Sequence, residues 1–150
     1  MEIPTPLTAL QAELETVGAV AFTARGYRPG IVTHIVLFRY AESTSAEQRA
    51  EVSRRFHALA DTERDGARYI VSIDSGEQVS GEVEPSGYDE AFVVRFASLG
   101  DRNFYVGEPI VSDPAFFDEP HARFKEFAAP QLAEAGVLVF DFQQPAARER

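Results

Sequence analysis

The chain has 150 residues, 45% of them hydrophobic, with 12 phenylalanines and no tryptophan, so it is long and apolar enough to bury one core and too apolar for disorder. Its 24 acidic against 14 basic side chains give a formal charge of -10, and no Lys/Arg cluster offsets the repulsion this raises against a phosphate backbone, which excludes nucleic acid. The absence of cysteine excludes disulfides, thiolate catalysis and sulfur-ligated metals, and no apolar run approaches the ~20 residues of a membrane span, so we expect a cytoplasmic protein without a membrane partner or a leader peptide.

Residues 1–30 read as an N-terminal extension. Thr5 caps a short amphipathic helix with Pro6 at its first position and Leu7, Leu10, Leu14 and Val17 on one face, and residues 26–30 read as a linker. The extension is either a lid, a dimer-docking element or a plain cover of apolar surface. The core domain, residues 31–144, opens with a strand over 33–40 that is apolar on both faces. Two overlapping capping boxes, Thr44 with Glu47 and Ser45 with Gln48, start a helix that carries Val52, Phe56 and Leu59 on one face to about Ala60.

A second strand covers 69–73, a polar loop 77–87, and a third strand 90–96, followed by a short helix or turn over 98–106. The segment 107–117 is irregular, and Asp118 and Pro120 start a second long helix with Phe124, Phe127 and Ala128 inward and Pro130 at its end. The fourth strand covers 137–142, and residues 145–150 are expected to fray. Strand, helix, strand, strand, helix, strand is the α+β pattern of a ferredoxin-like four-stranded antiparallel sheet with helices on one face. The other face, bearing Ile35, Leu37, Ala91 and Val93, needs a cover, and a second copy of the chain is the expected source.

None of the three histidines, His34, His57 and His121, stands at a metal-ligand spacing from another, so no metal is expected, and no phosphate loop, nucleophile elbow or dinucleotide fingerprint occurs, so no cofactor is expected. His57 reads as a solvated helix residue. His121 lies in the first turn of a helix, whose positive end disfavours imidazolium and keeps the ring able to accept a proton. His34 shares a strand face with Val36 and Phe38, and Glu90 shares one with Phe92, which makes it an inward carboxylate or a residue of the wet rim. Val36, Phe38, Glu90, Phe92, Phe117 and Phe124 are the candidate substrate-binding residues around His121 and His34, and Tyr105, Tyr88 or Tyr40 can supply a phenol.

Thr33-His34-Ile35-Val36-Leu37-Phe38-Arg39 resembles the opening His-x-Val-x-Phe-Lys strand of the stress-responsive A/B barrel (Dabb) family. Gly87-Tyr88-Asp89 ahead of the third strand, Pro120-His121 followed by Phe124, and the closing residues 137–142 resemble its later landmarks in order. The resemblance implies a ferredoxin-like domain that dimerises into an α+β barrel, with His34 as the strand-one histidine and His121 as the base. The family includes a plant polyketide cyclase that works without a cofactor. Two departures stand out: Ala115 and Asp118 replace the tyrosine and first histidine of the family's Tyr-x-x-His-Pro-x-His spacing, and Glu90 replaces a third-strand histidine. Tyr105 takes over the phenol's place only if the intervening segment folds back.

The expectation is a homodimer that binds an apolar, carbonyl-bearing small molecule, with His121, His34 and Tyr105 as catalytic residues of a cofactor-free cyclase, aldolase or isomerase acting on a polyketide-like compound. The alternatives are a non-enzymatic stress or scaffold oligomer whose pocket is filled by phenylalanines, and a cofactor-free monooxygenase, which the lack of tryptophan weakens.

Overall fold

A computed structural model describes residues 5–82 and 87–145. Helix α1 (Pro6–Phe22) leads into β1 (Pro29–Tyr40), α2 (Ala46–Ala58), a hairpin of β2 (Glu63–Arg64) and β3 (Ala67–Arg68), β4 (Ile70–Glu77), β5 (Glu90–Ser98), α3 (Leu99–Val106), α4 (Glu119–Ala128) and β6 (Leu132–Gln143). The long strands pair antiparallel in the order β4-β5-β1-β6, which is the ferredoxin-like sheet expected from the sequence.

Local chemistry explains most boundaries. Of the two overlapping capping boxes, Ser45 with Gln48 forms, while Thr44 sends its hydroxyl to the carbonyl of Gln131 and ties α2 to the start of β6. Ser98 accepts from the N–H of Asp101 and starts α3 directly at the end of β5, so the expected short helix is real. β1 begins at Pro29, inside the expected linker, and β6 begins at Leu132 rather than Val137. The β2–β3 hairpin has no counterpart in the sequence reading. Asp65 and Gly66 both take positive φ, 52° and 81°, the conformation an Asp-Gly pair offers a two-residue hairpin. Of the tail expected to fray, 145–150, residues 146–150 lie outside the described residues, as does Pro85 of the expected loop.

Alternate residues of β1 and β5 face the helices. Phe38, Phe56, Phe92 and Phe124 meet there, with the rings of Phe56 and Phe92 stacked at 4.1 Å and 3°. Such a pair adds about 0.5–1.5 kcal/mol beyond its burial. The opposite sheet face is bare, with Leu138, Phe140 and Phe142 exposed beside Ile35 and Leu37 of β1, which pair with Phe140 and Leu138.

The chain after α1 is fastened tightly to α3. A Cβ on Gly100 would lie 1.7 Å from the carbonyl oxygen of Ala24, so only glycine permits this approach. Arg64 of the hairpin donates to the carbonyl of Thr23 at 2.8 Å and to Asp101 at 2.8 Å, and Asn103 donates to the carbonyl of Phe22 at 2.9 Å. Asp101 is buried; desolvation outweighs Arg64 and Arg25 and pushes its carboxyl above the usual range.

Candidate functional site

Sheet and helices enclose a cavity of about 500 Å³. β1 contributes His34, Val36 and Phe38, α2 contributes Phe56, α4 contributes His121, Phe124 and Lys125, and β6 contributes Val137, Val139 and Asp141. Arg102 and Asn103 of α3 and Leu10 and Phe22 of α1 complete much of the wall. It is an apolar chamber with a few convergent polar groups, the usual make-up of a small-molecule site.

Antiparallel pairing of β1 with β6 sets His34 opposite Asp141. The Nδ1–H of His34 donates to Asp141 Oδ1 at 2.6 Å, and Arg102 Nη1 donates to Asp141 Oδ2 at 2.8 Å. Burial pushes the Asp141 carboxyl up, but the hydrogen bonds from His34 and Arg102 and the Arg102 charge outweigh it and hold the group below the usual carboxylate range. The carboxylate therefore fixes the His34 tautomer and leaves Nε2 as the ring nitrogen without a partner among the described residues. Arg102 Nε donates to Asn103 Oδ1 at 3.0 Å, which orients the guanidinium and leaves Nη2 for other acceptors.

His121 sits where the helix start was expected. Asp118 caps α4 by accepting the N–H of His121 at 2.9 Å and also accepts the Tyr69 hydroxyl at 2.5 Å. Desolvation outweighs these bonds and raises the Asp118 carboxyl above its ordinary value. The Nδ1–H of His121 donates to the backbone carbonyl of Tyr105 at 2.6 Å, and its ring stacks on the Tyr105 ring at 3.7 Å. Burial first, then the Lys125 charge, push the His121 pKa down to about 3, so the ring is neutral at every physiological pH and Nε2 carries the lone pair.

The expected site residues separate into two groups. His34, His121, Val36, Phe38 and Phe124 stand together on the cavity wall. Tyr105, Phe92, Phe117 and Glu90 do not line it. The Tyr105 side chain is fully enclosed between His34, Phe96 and His121, with its hydroxyl lacking a partner among the described residues, because α3 starts at once after β5 and turns the ring into the core rather than the chamber. Phe92 is sealed under Phe56, and Phe117 packs against Gly107. Glu90 accepts the Tyr40 hydroxyl at 2.6 Å at the far end of β5, and that bond and the buried Tyr40 ring keep it from the chamber. His57 is exposed and bonds Ser75 at 2.6 Å. Asp141, Arg102, Asn103 and Lys125 are wall residues that the sequence reading passed over. For Asp141 a signal existed, since it is the one charged residue in the apolar run 137–142.

Order β4-β5-β1-β6, helices on one face and a histidine-lined chamber between the layers define a ferredoxin-like α+β domain. The chain belongs to the Stress responsive A/B Barrel Domain (Dabb) family, whose profile matches residues 32–144. Among solved structures it is similar to the hydroxynitrile lyase of Passiflora edulis, at 19% identity and a TM-score of 0.61 over 81% of this chain and 99% of that one. It is also similar to a dimeric ferredoxin-like protein of unknown function from Thermobifida fusca, at 19% identity and a TM-score of 0.56 over 77% of this chain and 92% of that one. A Dabb family protein with a ferredoxin-like fold from Mesorhizobium loti matches at 15% identity and a TM-score of 0.56, over 78% and 99%. No curated protein matches the chain in sequence. Among the described residues no helix is long and apolar enough to cross a membrane.

Proposed function

We propose that the protein binds an apolar, carbonyl-bearing small molecule in this cavity and moves a proton on it without a cofactor, in a cyclisation, aldol or isomerisation step. The observation that carries the reading is the open chamber of about 500 Å³ with the His34–Asp141–Arg102 chain and a neutral His121 on its wall. A scaffold oligomer with a phenylalanine-filled interior would lack that space. A conjugate acid with a pKa of about 3 makes His121 too weak a base for a carbon acid, whereas His34 is held through Nδ1 by the Asp141 carboxylate with Nε2 left free of a partner among the described residues. Proton abstraction is therefore assigned to His34 Nε2, the proton passing from the carbon next to the carbonyl to the imidazole, which returns it to the substrate as the enolate is consumed. Arg102 Nη2 donates to the enolate oxygen that forms, and His121 Nε2 accepts a hydrogen bond from a ligand hydroxyl. Tyr105 acts through the position of His121.

The proposal includes a homodimer. The bare face around Leu138, Phe140 and Phe142 is an apolar surface that a second copy would cover, and solved relatives of this fold are described as dimeric. Native mass spectrometry of freshly purified protein tests both parts, reporting subunit count and retained ligand together. A dimer carrying a neutral carbonyl compound is the expected result, and an unliganded protein that takes up no member of a panel of 1,3-diketones would sink the ligand reading. Phe140→Glu is expected to leave a folded monomer; a variant that stays dimeric would move the interface off this face.

A further inference from the structure

The helix ahead of the family domain builds part of the chamber. α1 precedes residues 32–144, yet Leu10 and Phe22 lie on the cavity wall. The two residues belong to halves of α1 that are held differently. The helix is broken at Gly18, whose φ of 82° and ψ of 159° are foreign to a helix and to any residue with a Cβ. Beyond the break, Phe22 is fully buried and its end of the helix is anchored by Asn103, Arg64 and the close approach at Gly100. Before the break, the fastening is slight. Glu13, itself part-buried, accepts from the Tyr27 hydroxyl and pairs at 3.4 Å with the exposed Arg28, and Leu10 and Leu14 are only half-buried.

We propose that residues 6–17 form a hinged outer wall of the cavity, swinging about Gly18, and that Leu10 sets the size of the apolar group a ligand carries. The size-setting role rests on the ligand reading given above; the hinged wall does not. Polar groups gather where α3, β1 and β6 meet, so a ligand held there by its carbonyl directs its remaining atoms toward Val36, Phe38, Phe124 and the α1 wall. A wall held by the Glu13 hydrogen bond and ion pair and by two half-buried leucines opens at lower cost than the strands of the sheet.

Gly18 makes the hinge testable, because a Cβ there would meet nothing within 4 Å and only the backbone conformation forbids it. Gly18→Ala is therefore expected to straighten α1 and lift residues 6–17 off the cavity without disturbing the domain. The chain has no tryptophan, so Leu10→Trp introduces a single reporter. The Leu10→Trp side chain is expected to be quenched by acrylamide several-fold less than that of the control Leu7→Trp, since Leu7 is exposed while Leu10 is half-buried on the cavity wall. Adding Gly18→Ala should raise quenching at position 10 to the control level while urea unfolding of the domain stays cooperative. Equal quenching at positions 7 and 10, or no response to Gly18→Ala, would overturn the wall. A series of straight-chain methyl ketones tests Leu10: the tryptophan variant is expected to lose at least tenfold more affinity for the long members than for the short, and an unchanged length preference would remove its sizing role. If the wild-type protein binds no ketone of any length, the carbonyl-ligand reading fails and the sizing role fails with it, while the quenching comparison still decides the wall.

Discussion

Acidification from pH 6.5 to pH 3 is expected to weaken the fold by on the order of 4 kcal/mol through His121 alone, and His121→Gln to flatten that part of the dependence. The folded-state pKa lies at about 3 against an ordinary 6.5, so between those values the unfolded chain binds a proton that the folded chain refuses. Stability then rises with pH across that window and is lost as pH falls through it. Desolvation of a ring with 7% exposure is the main cause, and the nearby Lys125 charge adds to it. Other groups titrate in the same range with both signs. Asp118 and Asp101, held above their usual values, bind protons more readily when folded and so favour the fold on the acid side. Asp141, held below its usual value, loses its contribution as pH falls through its folded value. All three remain in the variant, and Asp118 still caps α4 through the backbone N–H of residue 121. The difference in slope between the two proteins therefore isolates the imidazole. Urea unfolding at several pH values from 7 to 4 measures it, and parallel curves would show that residue 121 does not hold a neutral buried ring.

The part of the site written in local sequence is the part that depends on helix starts and strand faces. Asp118, Pro120 and His121 carry their own start signal, and the structure puts the cap and the histidine where that signal says. His34, Val36 and Phe38 share a face because a strand alternates, whichever neighbours it acquires. What the local pattern lacks is register. Asp141 meets His34 only because β6 pairs with β1 in one of several slides that an apolar run permits, and no spacing along the chain encodes that choice. Arg102 and Asn103 were hidden for a similar reason, since residues 98–106 had to become a helix starting right at β5 before those side chains could point at β6. Tyr105 misleads in the other direction. Its place in the chain suits a pocket phenol, but a short helix so tightly joined to β5 turns that ring under His121 instead. The hairpin at Asp65-Gly66 was missed although its turn residues are of the type that makes one, and with it an arginine that locks Asp101 and the end of α1.

Asp141→Ala is expected to cost about 3 kcal/mol, the low end for breaking a buried ion pair, because the Asp141 side chain keeps 19% exposure while that of Arg102 keeps 11%. The loss would come from what remains. Arg102 would hold a charge with one oxygen acceptor, Asn103 Oδ1, and His34 would have its Nδ1–H aimed at an empty place in a wall where it is 5% exposed. Removing the charge as well separates these terms. Asp141→Ala combined with Arg102→Met is expected to be less destabilised than the sum of the single variants by about 1 kcal/mol or more, since the double variant buries no unpaired guanidinium. Asp141→Asn keeps the shape and one acceptor oxygen, and is expected to retain most of the stability while releasing His34 from its fixed tautomer. Denaturant unfolding of the four proteins gives the coupling, and the histidine nitrogen shifts in NMR report the tautomer. Additive single costs would mean that Arg102 and Asp141 are neighbours without mutual dependence. If the His34 tautomer were the same with aspartate and asparagine, the carboxylate would not be what prepares Nε2 as a proton acceptor, and the division of labour between the two histidines would have to be drawn the other way.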